Sequence, residues 1–138
     1  MAGNRGGIPM RNKLVLISVL VITLGSLYHL LGTPFGWTIN ESEVKNVYLN
    51  DIQVSEEQKS EVVREYNNMK NVRRRNSLEG STPKYVFKIE LNSGVIIDIQ
   101  DIGTSNFIVD REKGTKYTSF WAESPNVYNI AENISLKK

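Results

Sequence analysis

The 138-residue chain carries 17 basic and 15 acidic residues, one histidine and no cysteine. That length holds one ordinary domain and a short appendage, which excludes a multidomain enzyme. The missing cysteine removes disulfides, thiol nucleophiles, iron–sulfur clusters and thiolate zinc sites, and a lone histidine, His29, removes every mechanism that needs two.

Leu14 to Leu31, LVLISVLVITLGSLYHLL, is an apolar run with no formal charge. As a helix rising ~1.5 Å per residue it would reach roughly 27 Å, close to the ~30 Å hydrocarbon core, so the pattern predicts a transmembrane helix over 14–31 with the lipid bilayer as its partner. Ser18, Thr23 and Ser26 can bond back to helix carbonyls, and Tyr28, Phe35 and Trp37 suit an interfacial aromatic belt. Arg5, Arg11 and Lys13 precede the run, whereas Glu41 and Glu43 follow it. The positive-inside rule then predicts a cytoplasmic segment 1–13, a tether 32–43 and an extracytoplasmic domain 44–138, in a single-pass protein of the cell membrane. A cleaved signal peptide would share the charged start and apolar run. It would also need small residues at a cleavage site, and no alanine lies between Ala2 and Ala122. A buried helix apolar on all faces would need a larger protein around it.

The three amino-terminal cations account for the net charge of +2. The pI of 8.8 is therefore a topology signal, with no nucleic acid implied. Met10-Arg11-Asn12-Lys13 ahead of the apolar run is a complete anchor by itself, and Arg5-Gly6-Gly7 is what an in-frame purine-rich ribosome-binding site would encode. Met10 is the expected start in a bacterium, with 1–9 a mis-assigned extension.

The remainder reads as a small α+β unit. Val44–Val54 alternates briefly as a strand bent at Asn50-Asp51. Ser55-Glu56-Glu57-Gln58 matches a capping box and opens a helix whose apolar stripe is Val62, Val63, Tyr66 and Met69. Residues 71–83 are polar and read as a loop. Four strand signals follow, Tyr85–Leu91, Val95–Ile102, Phe107–Val109 and Tyr117–Trp121, separated by turns at Asn92–Gly94, Gly103–Asn106 and Asp110–Gly114. Short turns in series predict an antiparallel four-strand meander. Ser124-Pro125 predicts an N-cap with proline at the first helical position, and Val127, Ile130, Ala131 and Ile134 keep helical spacing to the end. The expected architecture is a transmembrane helix followed by this meander and two packing helices.

A short strand, the run Leu49-Asn50-Asp51-Ile52-Gln53-Val54-Ser55-Glu56-Glu57-Gln58-Lys59, a helix ending Tyr66-Asn67-Asn68, a meander and a final helix, all behind an amino-terminal anchor, resemble the small membrane-anchored YfmQ-type proteins of Bacillus and relatives. The resemblance covers most of the domain. It implies a Gram-positive cell-surface protein of a family without a settled activity, and it carries over no site residues.

No P-loop, dinucleotide fingerprint, His-Glu-x-x-His or EF-hand pattern is present. Paired carboxylates could act as acid and base, the candidates being Asp98, Asp101 and Asp110 with Glu90. Glu90 and Asp98 alternate with apolar residues, which places them on the wet face of a sheet, and Asp101 and Asp110 sit by turns. Lys70, Arg73, Arg74 and Arg75 form the densest charge cluster, a candidate contact for an anionic surface or partner. The bland reading is a solvated loop that compensates the acidic helix beside it. Phe120 and Trp121 are candidate interaction aromatics, against core packing on the final helix. The expectation is a non-catalytic binding or accessory protein, without cofactor or metal, that docks another membrane or surface protein or a surface polymer. An immunity or inhibitor protein at the cell surface is the alternative.

Overall fold

The computed structural model describes residues 10–31, 37–75, 82–103 and 105–137, and on the first helix it describes side chains over 12–26. The expectations for 1–9, and for the side chains of Tyr28, His29 and Phe35, lie outside the described residues. The chain forms two compact units, Met1–Thr33 and Pro34–Lys138.

The first unit contains helix α1, Met10–Leu31. Ser18 Oγ and Thr23 Oγ1 donate to the carbonyls of Leu14 and Val19 one turn back, at 3.0 and 2.8 Å. Among the described residues no helix is long and apolar enough to cross a membrane. This finding overturns the transmembrane reading of 14–31, and with it the single-pass topology and the cell-membrane, extracytoplasmic location inferred from that segment.

The second unit corrects the expected fold in another way: the meander is the middle of a larger sheet. Seven antiparallel strands run β1 (Val44–Leu49), β2 (Ile52–Gln53), β3 (Lys70–Arg74), β4 (Val86–Leu91), β5 (Ile96–Asp101), β6 (Asn106–Lys113) and β7 (Lys116–Glu123). Their order across the sheet is β2-β1-β4-β5-β6-β7-β3. Helices α2 (Glu56–Asn67) and α3 (Val127–Leu136) complete the unit.

Local chemistry accounts for most of these elements. Asn50 and Asp51 both adopt positive φ, 48° and 66°, and Leu49 pairs with Ile52, so the expected bend is a two-residue hairpin of the kind that Asn and Asp favour. Gly114, at φ 58°, leads the two-residue turn that pairs Lys113 with Lys116. The α2 capping box is reciprocal: Gln58 N donates to Ser55 Oγ at 3.3 Å, and Ser55 N donates to Gln58 Oε1 at 2.9 Å. α3 starts later than Ser124-Pro125 suggests, with Asn126 as its N-cap residue and no side-chain cap bond.

Because directly opposite residues share a face, the register divides the sheet cleanly. Phe87, Ile99, Val109 and Phe120 form one transverse row, and Ile89 and Ile97 continue the same face into Arg111. On that inner face Val62, Val63 and Tyr66 of α2 and Val127, Ile130, Ala131 and Ile134 of α3 complete a single buried core. Each fully buried side chain of this class contributes ~1.5–3 kcal/mol relative to exposure. The outer face carries the intervening rows, one polar (Lys88, Asp98, Asp110, Ser119) and one largely apolar (Val86, Gln100, Ile108, Trp121).

Candidate functional site

Residues 71–74, expected within a loop, form with Lys70 the strand that ends the sheet. Their composition suits that position. Val72 is half-buried, while Lys70, Arg73 and Arg74 point to water, and such charge on an edge strand discourages pairing with chains that lack complementary charge. β3 pairs with β7 through Lys70↔Glu123, Arg73↔Trp121 and Arg74↔Phe120, with a bulge between Lys70 and Arg73. Asn71 sits in that bulge at φ 54° and donates from Nδ2 to Glu123 Oε2 at 2.6 Å. Asparagine is among the few non-glycine residues that adopt this conformation readily.

The register brings together the two groups of residues singled out from the sequence. Arg73 lies opposite Trp121 on the outer face, and Arg75 stacks over the Trp121 ring with Cζ 5.4 Å from its centroid. Arg73, Arg74 and Trp121 line a surface cleft of about 500 Å³, closed by Ile102, Gly103 and Asn106. Asp101 Oδ1 accepts from Gly103 N at 2.8 Å and fixes the turn into β6. Among the described residues neither Arg73 nor Arg74 forms an ion pair. Phe120 is separated from this group. It is 4% exposed and packs in the core, its ring 6.1 Å from that of Trp37.

Trp37, expected at a membrane interface, packs within the second unit, with Arg111 Cζ 5.1 Å from its ring centroid. Arg111 also faces Tyr66. Burial pushes the Tyr66 hydroxyl up to about 12, while the charge and hydrogen bond of Arg111 act in the opposite direction. Arg111 was legible in principle, because it continues the alternation Phe107, Val109 and so falls on the inner face.

Two of the four candidate carboxylates are adjacent. Asp98 and Asp110 are directly opposite on β5 and β6, in an outer row that runs Lys88, Asp98, Asp110, Ser119. Gln100 Nε2 donates to Asp110 Oδ2 at 2.9 Å. Burial raises the Asp98 carboxyl above its ordinary range, Lys88 opposes the rise, and Asp110, Glu112 and Asp51 add to it. Asp98 lines a shallow cavity of about 290 Å³ with Lys88, Asn50 and Asp51. Asp101 and Glu90 are engaged elsewhere, Glu90 Oε2 accepting from Asn46 Nδ2 at 3.1 Å. Among the described residues no group of three or more His, Asp or Glu side chains could hold a metal ion.

The sequence reading passed over Glu65. It stands three positions after Val62 on the edge of the α2 apolar stripe and is 6% exposed. That spacing was the available signal.

Comparison of the chain with protein-family models, with characterised proteins and with solved structures finds no match, and so nothing that bears on the YfmQ-type resemblance.

Proposed function

We propose that the Pro34–Lys138 unit is a non-catalytic binding module that docks an acidic, extended segment of a partner protein along β3. The observation that carries this reading is the end of the sheet itself: an edge strand with two exposed arginines that form no ion pair among the described residues, beside a Trp121-lined cleft of about 500 Å³. An edge strand offers a row of main-chain donors and acceptors to an incoming strand, which supplies affinity, and alternate side chains supply specificity. Arginine suits the second task because its planar fork engages carboxylates in pairs. A non-catalytic role is supported by the arrangement of Asp98 and Asp110, which neighbour each other on one open sheet face and do not oppose each other across a cleft.

The test is isotope-edited NMR of the full chain with a synthetic octapeptide of alternating aspartate and valine. Amide shifts along β3 and at the Trp121 indole, weakened at least tenfold in the Arg73→Glu/Arg74→Glu double variant and unchanged in Lys116→Glu at the far end of β7, are the expected result. Shifts confined to side chains, with inorganic polyphosphate competing fully, would replace strand addition by polymer binding. An unperturbed β3 would end the proposal.

A further inference from the structure

The two exposed arginines of β3 lie on opposite faces of the strand. Arg73 stands opposite Trp121, in the outer row with Val86, Gln100 and Ile108, whereas Arg74 stands opposite Phe120, in the inner row with Phe87, Ile99 and Val109. Both border the cleft of about 500 Å³, so they flank the open edge from its two sides. Arg75 shares the outer face with Arg73, but it is half-buried and its guanidinium is stacked over Trp121. Arg73 and Arg74 are therefore the cations that an incoming segment meets first. Side chains of an extended segment alternate between faces, so carboxylates two residues apart reach only one of the two.

The hydrogen-bond phase of β3 sets where such a segment pairs. Arg75 N donates to Ser119 O at 3.0 Å, which makes Arg75 and Ser119 a hydrogen-bonded pair. Bonded and non-bonded pairs alternate along antiparallel strands, so Arg73↔Trp121 is bonded and Arg74↔Phe120 is not. The main chain of Arg74 thus turns its N–H and C=O away from β7, towards the open edge. On the amino-terminal side the bulge between Lys70 and Arg73, with Asn71 at φ 54°, interrupts the ladder. The regular edge is short and centred on Arg74. A residue bonded there lies directly opposite Arg74, and its chain neighbour lies opposite Arg73 with its side chain on the other face.

We infer that the segment docked along β3 carries two consecutive carboxylate side chains, one for Arg74 and the next for Arg73. This inference rests on β3 as the docking edge and names the recognition element of the partner. Each guanidinium fork then meets its own carboxylate, on its own face of the strand.

Two capped hexapeptides of identical composition, Thr-Val-Asp-Asp-Val-Thr and Thr-Asp-Val-Asp-Val-Thr, separate the two levels of the reading when titrated into the full, isotope-labelled chain. The peptide with adjacent acids should shift the β3 amides and the Trp121 indole, with an affinity at least threefold above that of the spaced peptide. Arg73→Gln and Arg74→Gln should each bring it down to the affinity of the spaced peptide. Both side chains are exposed, so neither substitution touches the core, and the comparison of peptides on the parent chain needs no variant. Equal affinities, or tighter binding of the spaced peptide, with β3 still shifted would overturn the acid pair and leave β3 as a docking edge. No β3 shift with either peptide would remove the docking edge and the acid pair together.

Discussion

Asp98 and Asp110 face each other across β5 and β6, and each keeps one carboxylate oxygen, Oδ1, buried without a hydrogen-bond partner. Like charges directly opposite on antiparallel strands destabilise a sheet, and burial of the same groups adds to the cost. The net direction for Asp98 is upward despite Lys88, so burial and its acidic neighbours outweigh the one cation. The folded state therefore holds the Asp98 proton more tightly than the unfolded state does. No penalty exists below the ordinary carboxylate value, and the penalty appears as pH rises from there through the raised value.

Asp98→Asn removes this penalty and supplies an amide donor to the orphan oxygen of Asp110. The expected outcome is a Tm higher by roughly 2–5 °C at pH 7, shrinking towards zero near pH 3. Thermal denaturation at both pH values checks it. An equal gain at both would assign the effect to packing and not to charge.

Tyr66 supplies the alkaline counterpart. Its hydroxyl is pushed from 10.0 to about 12 by burial, so the folded chain keeps a proton that the unfolded chain has lost. Stability attached to this group is fully present below pH 10 and drains away as pH rises towards 12. At ~1.36 kcal/mol per pH unit the loss amounts to about 2–3 kcal/mol. Denaturant titrations at pH 9 and pH 11.5 should show that slope in the parent chain and a flatter one in Tyr66→Phe. A Phe variant with the parent's slope would place the alkaline sensitivity elsewhere.

Which parts of this fold were legible follows from how far apart in sequence the deciding contacts are. The Ser55–Gln58 capping box and the turns after Leu91 and Lys113 are decided within four residues, and each is written in residue types that such geometry selects. β3 is decided by a partner strand almost fifty residues away. Its own composition, one valine among three cations and an asparagine, is that of a loop, and only the register with β7 makes it a strand. The basic cluster and Trp121 could each be picked out from the sequence, but that they share one cleft depends on the same long-range register. The apolar run at 14–31 does form a helix, but among the described residues no helix is long and apolar enough to cross a membrane.

The segment read as a tether shows how a long-range contact can also be local in effect. Asn67 closes a two-way bond on the backbone of Ile39: Ile39 N donates to Asn67 Oδ1 at 2.9 Å, and Asn67 Nδ2 donates to Ile39 O at 2.8 Å. Ile39 is 5% exposed, so water cannot replace either bond without opening the segment. Asn67→Ala leaves a buried N–H and a buried C=O unpaired, at a cost of about 2 kcal/mol. Asn67→Asp keeps the acceptor for Ile39 N, loses the donor and sets a carboxylate against a carbonyl, so it should cost at least as much. Because Trp37 packs on Phe120 and under Arg111 just before this clamp, its release should loosen those contacts too. Hydrogen exchange at the Ile39 amide is the direct readout. In the parent chain that amide should exchange only with global unfolding, whereas in Asn67→Ala it should exchange at least tenfold faster than the core amides of β5. Protection that survives the substitution would mean that burial of the Ile39 side chain, and not the asparagine, fastens this segment to the domain.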